Sequence, residues 1–490
     1  MEFSTGLKKR VRSHNLLLVC FSLSLLLMHS LHPFSQILPG VDSSSFMYIG
    51  KKLHEGILPY RDLFDHKGPL LYVINTIGMS VGSGLGVWLI GWISMMVAVS
   101  FSYRAACVFF TRQVALLTVV VSFLLLALCY DGGNFVEEYA LPFMAISLYL
   151  FSKHYKNGQS FLRSAGIVGA SMACVLMLRP NMIMLWFCFG AHILWREWRL
   201  GRGKKAWQYI AGFVTGAGVI VMILCIPIIV LGLWDDFIRA YFSFNVSYTL
   251  GGDLHQFMEA LRHFYSFFYT IPVAIVSCIV WILRHRGQRK LGDYIAVPIL
   301  GSLLLTLIII SLPGRLYAHY MMVIIPLLVL PLGFVLNSTV KVFRTVTYKN
   351  RVWERVGFLI LFVSITGSLI IAQGTQIIRT FYKDSYTADL YTLSEYINEE
   401  TKEDDRIISL DYGAMIYLLS DREPASRFFY AGYKMDYEIL IEDLCENEPA
   451  YIMGRVFPYS VIEALLQKGL IYERVDNISS SYVMYRRTQS

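Results

Sequence analysis

Charge is scarce in this 490-residue chain: Asp, Glu, Lys and Arg make up 16% of it, and only fifteen of its 35 acids precede residue 384. Hydrophobic residues reach 56%, with a mean hydropathy of +0.52, far above a soluble globular average. Cysteine is present without a pattern. Seven of the eight (Cys20, Cys107, Cys129, Cys174, Cys188, Cys225, Cys278) lie inside apolar runs and Cys445 sits in the polar tail, so neither a disulfide framework nor a paired-cysteine metal site is readable. Neither a Walker loop nor HExxH occurs, and ATP hydrolysis and zinc proteolysis therefore lack support. Internal repeats, low-complexity tracts and the inverted two-half symmetry of many transporters are missing as well.

What is present is a series of apolar runs broken by short polar segments. Five breaks are basic: Arg104–Arg112, Lys153–Arg163, Arg196–Lys205, Arg284–Lys290 and Lys341–Arg355. They alternate with acidic, aromatic and Pro/Gly-containing breaks, so the positive-inside rule puts the basic ones inside and the others outside. The net charge of +8 divides the same way. Residues 384–490 hold twenty acids and ten basic residues, a charge of −10, which leaves +18 for the rest; that split speaks for topology and against a nucleic-acid partner.

At roughly 20 apolar residues per crossing, the sequence predicts eleven spans, near 15–33, 84–103, 113–130, 139–152, 164–179, 181–196, 207–232, 266–283, 294–312, 319–336 and 356–374. The N-terminus is then cytoplasmic and the C-terminus extracytoplasmic. Lys8, Lys9, Arg10 and Arg12 precede the first run, which lacks a small-x-small cleavage site and reads as an uncleaved helix. Counting Pro69–Val81 as a crossing would turn every basic loop outward, so it is assigned to a short interfacial or re-entrant helix. Ser43–Leu53, with Phe46, Ile49, Gly50 and Leu53 on one helical face, is expected in the interface too. In the tail, helical Tyr386–Glu399, Tyr437–Cys445 and Tyr459–Lys468 alternate with strand-like Arg406–Leu410, Ala450–Met453, Tyr472–Val475 and Tyr482–Arg486. The predicted fold is an α-helical polytopic membrane protein: residues 1–380 form the membrane part with its first outer loop at 34–68, and 381–490 a small extracytoplasmic α/β domain.

On this topology the ionisable motifs gather outside. The first outer loop packs Asp42, Asp62, Asp65, His66 and Lys67 among aromatics, where an ordinary solvated loop would also account for them. Glu137 and Glu138 open a helix, where the dipole alone favours acids by roughly 0.3–1 kcal/mol; they point about 100° apart, so at most one faces a given cavity. Arg179 lies between two apolar runs, either as a snorkelling anchor or as a buried cation needing a partner. Arg315, Tyr317, His319 and Tyr320 stand at the outer end of another run, and an arginine there suits a phosphate better than aromatic belting explains it.

The strings PGxDSSxFxYIG, GxxPYRDxFDHKGPLLYxIN, GNFVEEYALPF and GRxYxHY resemble the bacterial branch of the GT-C glycosyltransferases, which includes protein O-mannosyltransferase-like enzymes and lipid A aminoarabinose transferases. The resemblance covers roughly residues 15–375. It implies a GT-C-like membrane enzyme that uses a polyprenyl-phosphate sugar as donor, with a first-loop acid as catalytic base. Carried onto this chain it makes Asp42 the base, gives Lys67, Arg315 and His319 to the donor phosphate, and makes Glu137 or Glu138 the second-loop acid, for the acceptor or a divalent cation; His66, Arg179 and Tyr320 join the donor-phosphate candidates from their own positions and chemistry. Asp42-Ser43 and Gly68-Pro69 stand where many relatives carry an acidic pair and a proline pair, which leaves sugar, acceptor and metal open. One carboxylate suffices chemically, because the leaving phosphate needs cations rather than a protonating acid. A single displacement then inverts the anomeric centre. The expected function is transfer from that lipid-linked donor, within the bilayer, to an extracytoplasmic glycan, lipid or protein. The alternatives are a flippase or transporter for a lipid-linked glycan, or an envelope polysaccharide polymerase or ligase; a transporter should show mid-bilayer charges, and the runs here are nearly free of them.

The topology predicts that a reporter fused after Ser490 is active outside the cytoplasm and that cysteines introduced at positions 135 and 316 react from the outer face. Labelling from the cytoplasm alone would overturn the orientation.

Overall fold

The computed structural model describes residues 2–157, 161–267, 269–284, 295–345, 352–410, 413–430, 436–455, 459–476, 478–479 and 481–488. Parts of three basic breaks, residues 158–160, 285–290 and 346–351, lie outside the described residues. The first part of the chain is helical: α1 (Glu2–Leu26), α2 (Val41–His54), α3 (Pro69–Gly82), α4 (Gly84–Cys107), α5 (Arg112–Leu124), α6 (Val136–Asn157), α7 (Phe161–Leu176), α8 (Met184–Arg199), α9 (Gly203–Val230), the short α10 (Trp234–Phe237) and α11 (Phe244–Leu250), α12 (Leu254–Phe267), α13 (Thr270–Arg284), α14 (Ala296–Ser311), α15 (Ile325–Thr345) and α16 (Val352–Thr380). Then come α17 (Ser385–Glu400), β1 (Ile407–Ser409), α18 (Met415–Ser420), α19 (Tyr437–Asn447), β2 (Tyr451–Gly454), α20 (Tyr459–Gln467), β3 (Tyr472–Val475) and β4 (Val483–Arg487).

The count of eleven crossings is corrected. Helices stand over all eleven expected segments, but among the described residues only four stretches are long and apolar enough to cross: Gly84–Cys107, Gly203–Val230, Ala318–Lys341 and one within Leu359–Glu400. Leu254–Ser266 and Thr270–Arg284, bent by 81°, would together make a fifth. The shortfall has a local cause. His14–Leu26, Leu162–Leu176 and Ala296–Ser311 are apolar but short; at 1.5 Å per residue, helices of 13–16 residues reach about 20–24 Å against a hydrocarbon core of about 30 Å. Tight turns at Leu125–Leu128 and Pro180–Met182 end α5 and precede α8 where the apolar run itself continues. Pro69–Gly82 is also a helix of only 14 residues, with Pro69 at its first position, where the missing N–H costs nothing. Within it Gly78–Gly82 spells GxSxG, but Ser80 sits mid-helix with its hydroxyl donating to the Thr76 carbonyl at 2.7 Å, not on the strand–turn–helix elbow that makes that motif nucleophilic.

The tail follows the expected alternation and adds one helix, α18. Its four strands take the order β1-β2-β4-β3, with β1 and β2 parallel and the other pairs antiparallel. Asp384 and Asp436 cap α17 and α19 by accepting from the Thr387 and Ile439 amides, as N-cap acids do.

Helix α2 turns its apolar face to other parts of the protein. Phe46 and Ile49 are 1% and 0% exposed, because α3 packs on one side of α2 and α18 on the other. Tyr48 lies between Tyr417 and Phe429, with ring centroids 5.4 and 5.5 Å away. Lys51 and Lys52 pair with Asp421 and Glu423 at 2.6 and 3.1 Å, the Ala414 amide donates to Ser44 Oγ at 3.1 Å, and the Phe64 amide donates to the Arg427 carbonyl at 2.9 Å. The first loop and the tail thus share one apolar core.

Gly413 sits where that core closes, at φ +106°, with space for a Cβ only 3.0 Å from Ser44 Oγ and Val41 Cα. Gly413→Val should cost about 1–3 kcal/mol, lower the melting temperature in detergent by several degrees and expose the tail to protease. Unchanged melting and proteolysis would mean that the tail is not seated on α2.

Candidate functional site

A cavity of about 600 Å³ opens between the start of α2, the start of α6, the turn after α7, the Ala318–Ile324 turn and the tail. Asp42, Lys67, Asp131, Glu137, Arg179, His319, Tyr320 and Arg455 are among its lining residues. Each arrives for a local reason. Asp42 occupies the first turn of α2 after an extended Gly40, where the dipole favours an anion. Arg179 precedes Pro180 and is held extended, at φ −163° and ψ 126°, because a residue before proline avoids helix. Gly68 binds the Leu178 carbonyl through its N–H at 3.0 Å, and a Cβ there would lie 1.9 Å from the Met177 oxygen. Only glycine allows that approach, which brings the Lys67 segment alongside the backbone that leads to Arg179.

The cations are buried and partnered. Arg179 donates from Nη1 to Glu137 Oε1 at 3.0 Å and from Nη2 to the Tyr320 hydroxyl at 2.9 Å. Glu137 keeps its second oxygen, Oε2, buried and without a hydrogen-bond partner. Lys67, 3% exposed, stands 3.9 Å from Asp65 Oδ1, 3.4 Å from His66 Nε2 and 5.3 Å from the Phe46 ring centre. Asp65 accepts from the His66 amide and from the Tyr72 and Tyr430 hydroxyls at 2.8, 2.9 and 2.9 Å. Burial alone would raise the Asp65 carboxyl, but the Lys67 charge and then the bonds and charge of His66 outweigh it and hold the group well below the carboxylate range. His66 is lowered to about 4, by burial first and then by Lys67, and is neutral at pH 7. At the mouth, Asp131 is pushed up by desolvation and then by the neighbouring Asp42 charge.

Most of the predicted residues converge here, with differences. Of the adjacent acids, Glu137 lines the cavity, whereas Glu138 turns to the Tyr130 hydroxyl and the Asn134 amide at 2.7 and 2.8 Å. His66 supports Lys67 from behind and is not itself in the lining. His319 stacks on Phe135, with ring centroids 4.3 Å apart, and its Nδ1 is buried without a partner. Arg315 is exposed and outside the lining, which this turn enters at Tyr317, His319 and Tyr320; the bend through Gly314, at φ +64°, carries Arg315 to the surface.

Besides Asp131, sequence reasoning missed four contributors. Asn134 donates from Nδ2 to Ser43 Oγ and Asn75 Oδ1 at 3.1 and 3.0 Å and so ties α2, α3 and the 130–138 loop together. Tyr386, Tyr430 and Arg455 come from the tail, with the Arg455 guanidinium 4.8 and 5.1 Å from the Tyr386 and Tyr482 ring centres. Asn134 lies inside the GNFVEEYALPF string and was findable; no motif marks the other three. Among the described residues, no three His, Cys, Asp or Glu side chains are grouped to hold a metal ion.

Residues 5–371 match the family model described as "Putative competence-induced protein Ccs4 N-terminal domain". No curated protein sequence matches the chain. Among solved structures, ArnT from Cupriavidus metallidurans bound to undecaprenyl phosphate is similar at a TM-score of 0.63 and 13% identity, covering 97% of this chain and 98% of that one. The archaeal oligosaccharyltransferase AglB from Archaeoglobus fulgidus, in complex with an inhibitory peptide and a dolichol-phosphate, is similar at 0.56 and 13%, covering 98% of this chain and 74% of that one. At such identity the likeness establishes a shared fold.

Because His66 is held neutral, the unfolded chain binds a proton below pH 6.5 that the folded chain refuses until about pH 4. Its contribution to stability is therefore complete above pH 6.5 and is lost as the pH falls to about 4. His66→Gln should flatten the decline of melting temperature across that interval, measured in detergent; parallel curves for parent and variant would refute it.

Proposed function

The chain belongs to the Ccs4 N-terminal domain family, and from that premise and the chemistry of its cavity we propose a membrane glycosyltransferase that moves a sugar from a polyprenyl-phosphate carrier to an extracytoplasmic acceptor. The observation that carries the reading is that Asp42, beside Asp131 and Glu137, lines the same cavity as two buried cations, Lys67 and Arg179. That is the complement this reaction asks for. Asp42 takes the proton of an acceptor hydroxyl as its oxygen bonds to the anomeric carbon; the bond from that carbon to the phosphate oxygen breaks, and the electron pair leaves on the phosphate with inversion. Lys67 and Arg179 stabilise the charge that develops there, in a site where low dielectric magnifies their effect. Glu137 orients Arg179 through one oxygen and offers the other to the acceptor. His319 and Tyr320 flank the phosphate, and the tail, taken as an extracytoplasmic domain over residues 381–490, closes the cavity with Tyr430 and Arg455. The undecaprenyl phosphate held by the ArnT structure and the dolichol-phosphate held by the AglB structure support a lipid-phosphate donor. The N-terminus is assigned to the cytoplasm on the charge pattern of the loops.

Transfer from a polyprenyl-phosphate sugar in liposomes, with lipid binding measured in parallel, tests the assignment. Asp42→Asn keeps shape and loses basicity, so donor binding should survive while turnover falls about 100-fold or more. Lys67→Met and Arg179→Gln should weaken binding and rate together, and Arg315→Ala should do so far less. Parental turnover by Asp42→Asn would end the role of that residue.

A further inference from the structure

A second cavity, about 820 Å³, lies among α1, α4, α5 and α6. It is far from Asp42: α6 contributes Val136 and Glu137 to one cavity and Lys153 and Lys156 to the other, about 25 Å apart at 1.5 Å per residue. Its lining contains Arg104, Arg112, Lys153, Lys156 and His14 and no carboxylate. None of the four Lys and Arg side chains pairs with an acid among the described residues; instead Arg104 lies over Phe101, Lys153 over Tyr149 and Lys156 over Phe109, at 4.9, 5.5 and 5.7 Å from the ring centres. Four like charges converge on one space without a counter-ion among the described residues.

Arg104, Arg112 and Lys156 are exposed and Lys153 is half-buried, yet all four border one concave space, so their charges act together on whatever occupies it within a Debye length of about 8–10 Å. Here the opposite wall is apolar, built by Leu18 of α1 and Val97 of α4. Helix α5 also begins at this rim with no side-chain cap on its first amides, which leaves backbone N–H donors for an anion. A cavity with a cationic floor and an apolar wall matches a molecule that joins a phosphate to a hydrocarbon chain. We propose that this cavity binds the phosphate headgroup of an anionic membrane lipid, at the end of the bundle opposite the Asp42 site.

The test uses the full chain in detergent, titrated with phosphatidylglycerol, phosphatidylcholine or inorganic phosphate and read by native mass spectrometry and by melting temperature. Phosphatidylglycerol should be retained and should raise the melting temperature, while phosphatidylcholine and inorganic phosphate should do neither. The variant R104Q/R112Q/K153Q/K156Q should lose retention at least 10-fold, as should the milder R104Q/K156Q in part, both with melting of the lipid-free protein unchanged. The control R199Q/R202Q/K204Q/K205Q, which removes equal charge from another basic break, should bind as the parent does. Equal retention of phosphatidylcholine, an equal loss in the control, or displacement by inorganic phosphate alone would overturn the proposal; the last would reassign the cavity to a soluble anion.

Discussion

Two cations held inside an apolar body constrain the arrangement around them. Moving an ion out of water costs several kcal/mol even after relaxation, and removing one partner of a buried pair typically costs about 3–5 kcal/mol. Lys67 and Arg179 are 3% and 5% exposed, so each requires a fixed set of partners. Those of Lys67 lie beside it, in Asp65 and His66, and Asp65 in turn needs Tyr72 of α3 and Tyr430 of the tail. Those of Arg179 come from the start of α6 and from the Ala318–Ile324 turn. Five segments distant in sequence are therefore held in register by two charges.

The same network explains why the cavity persists. Once Glu137 Oε1 is tied to Arg179, its other oxygen stays buried without a partner, a state that costs about 1–3 kcal/mol and survives only where the surroundings over-determine the geometry. Asn134 supplies part of that rigidity, because it ties the loop before α6 to both α2 and α3. The Asp42 carboxylate lies at the near end of α2, whose other faces are buried under α3 and α18. A carboxylate carried on so fixed a helix has little positional freedom left to lose.

The tail is more than a cover. Tyr430 completes the shell of Asp65, and Arg455 spans the Tyr386 and Tyr482 rings at the cavity wall. Its core is continuous with that of the first loop through Tyr48, Tyr417 and Phe429. Movement of the tail would therefore alter the field at Lys67, because Tyr430 bonds the Asp65 carboxylate that faces it.

Local pattern was enough for the helices, for the alternation of the tail and for the convergence of Asp42, Lys67, Glu137 and Arg179, because apolar periodicity, proline, glycine and paired charge act over a few residues. It failed where neighbours decide. Tight turns at Leu125–Leu128 and Pro180–Met182 are invisible to hydropathy, which sees an unbroken apolar run, and the helices His14–Leu26, Leu162–Leu176 and Ala296–Ser311 are shorter than the runs that hold them; for both reasons the count of crossings was too high. The choice of Glu137 over Glu138, the exit of Arg315 to the surface and the arrival of Tyr430 and Arg455 depend on which surfaces meet. Charge in the sequence fixes what must be neutralised; only packing selects the partner, since a buried ion accepts any counter-charge that the fold can bring within about 4 Å.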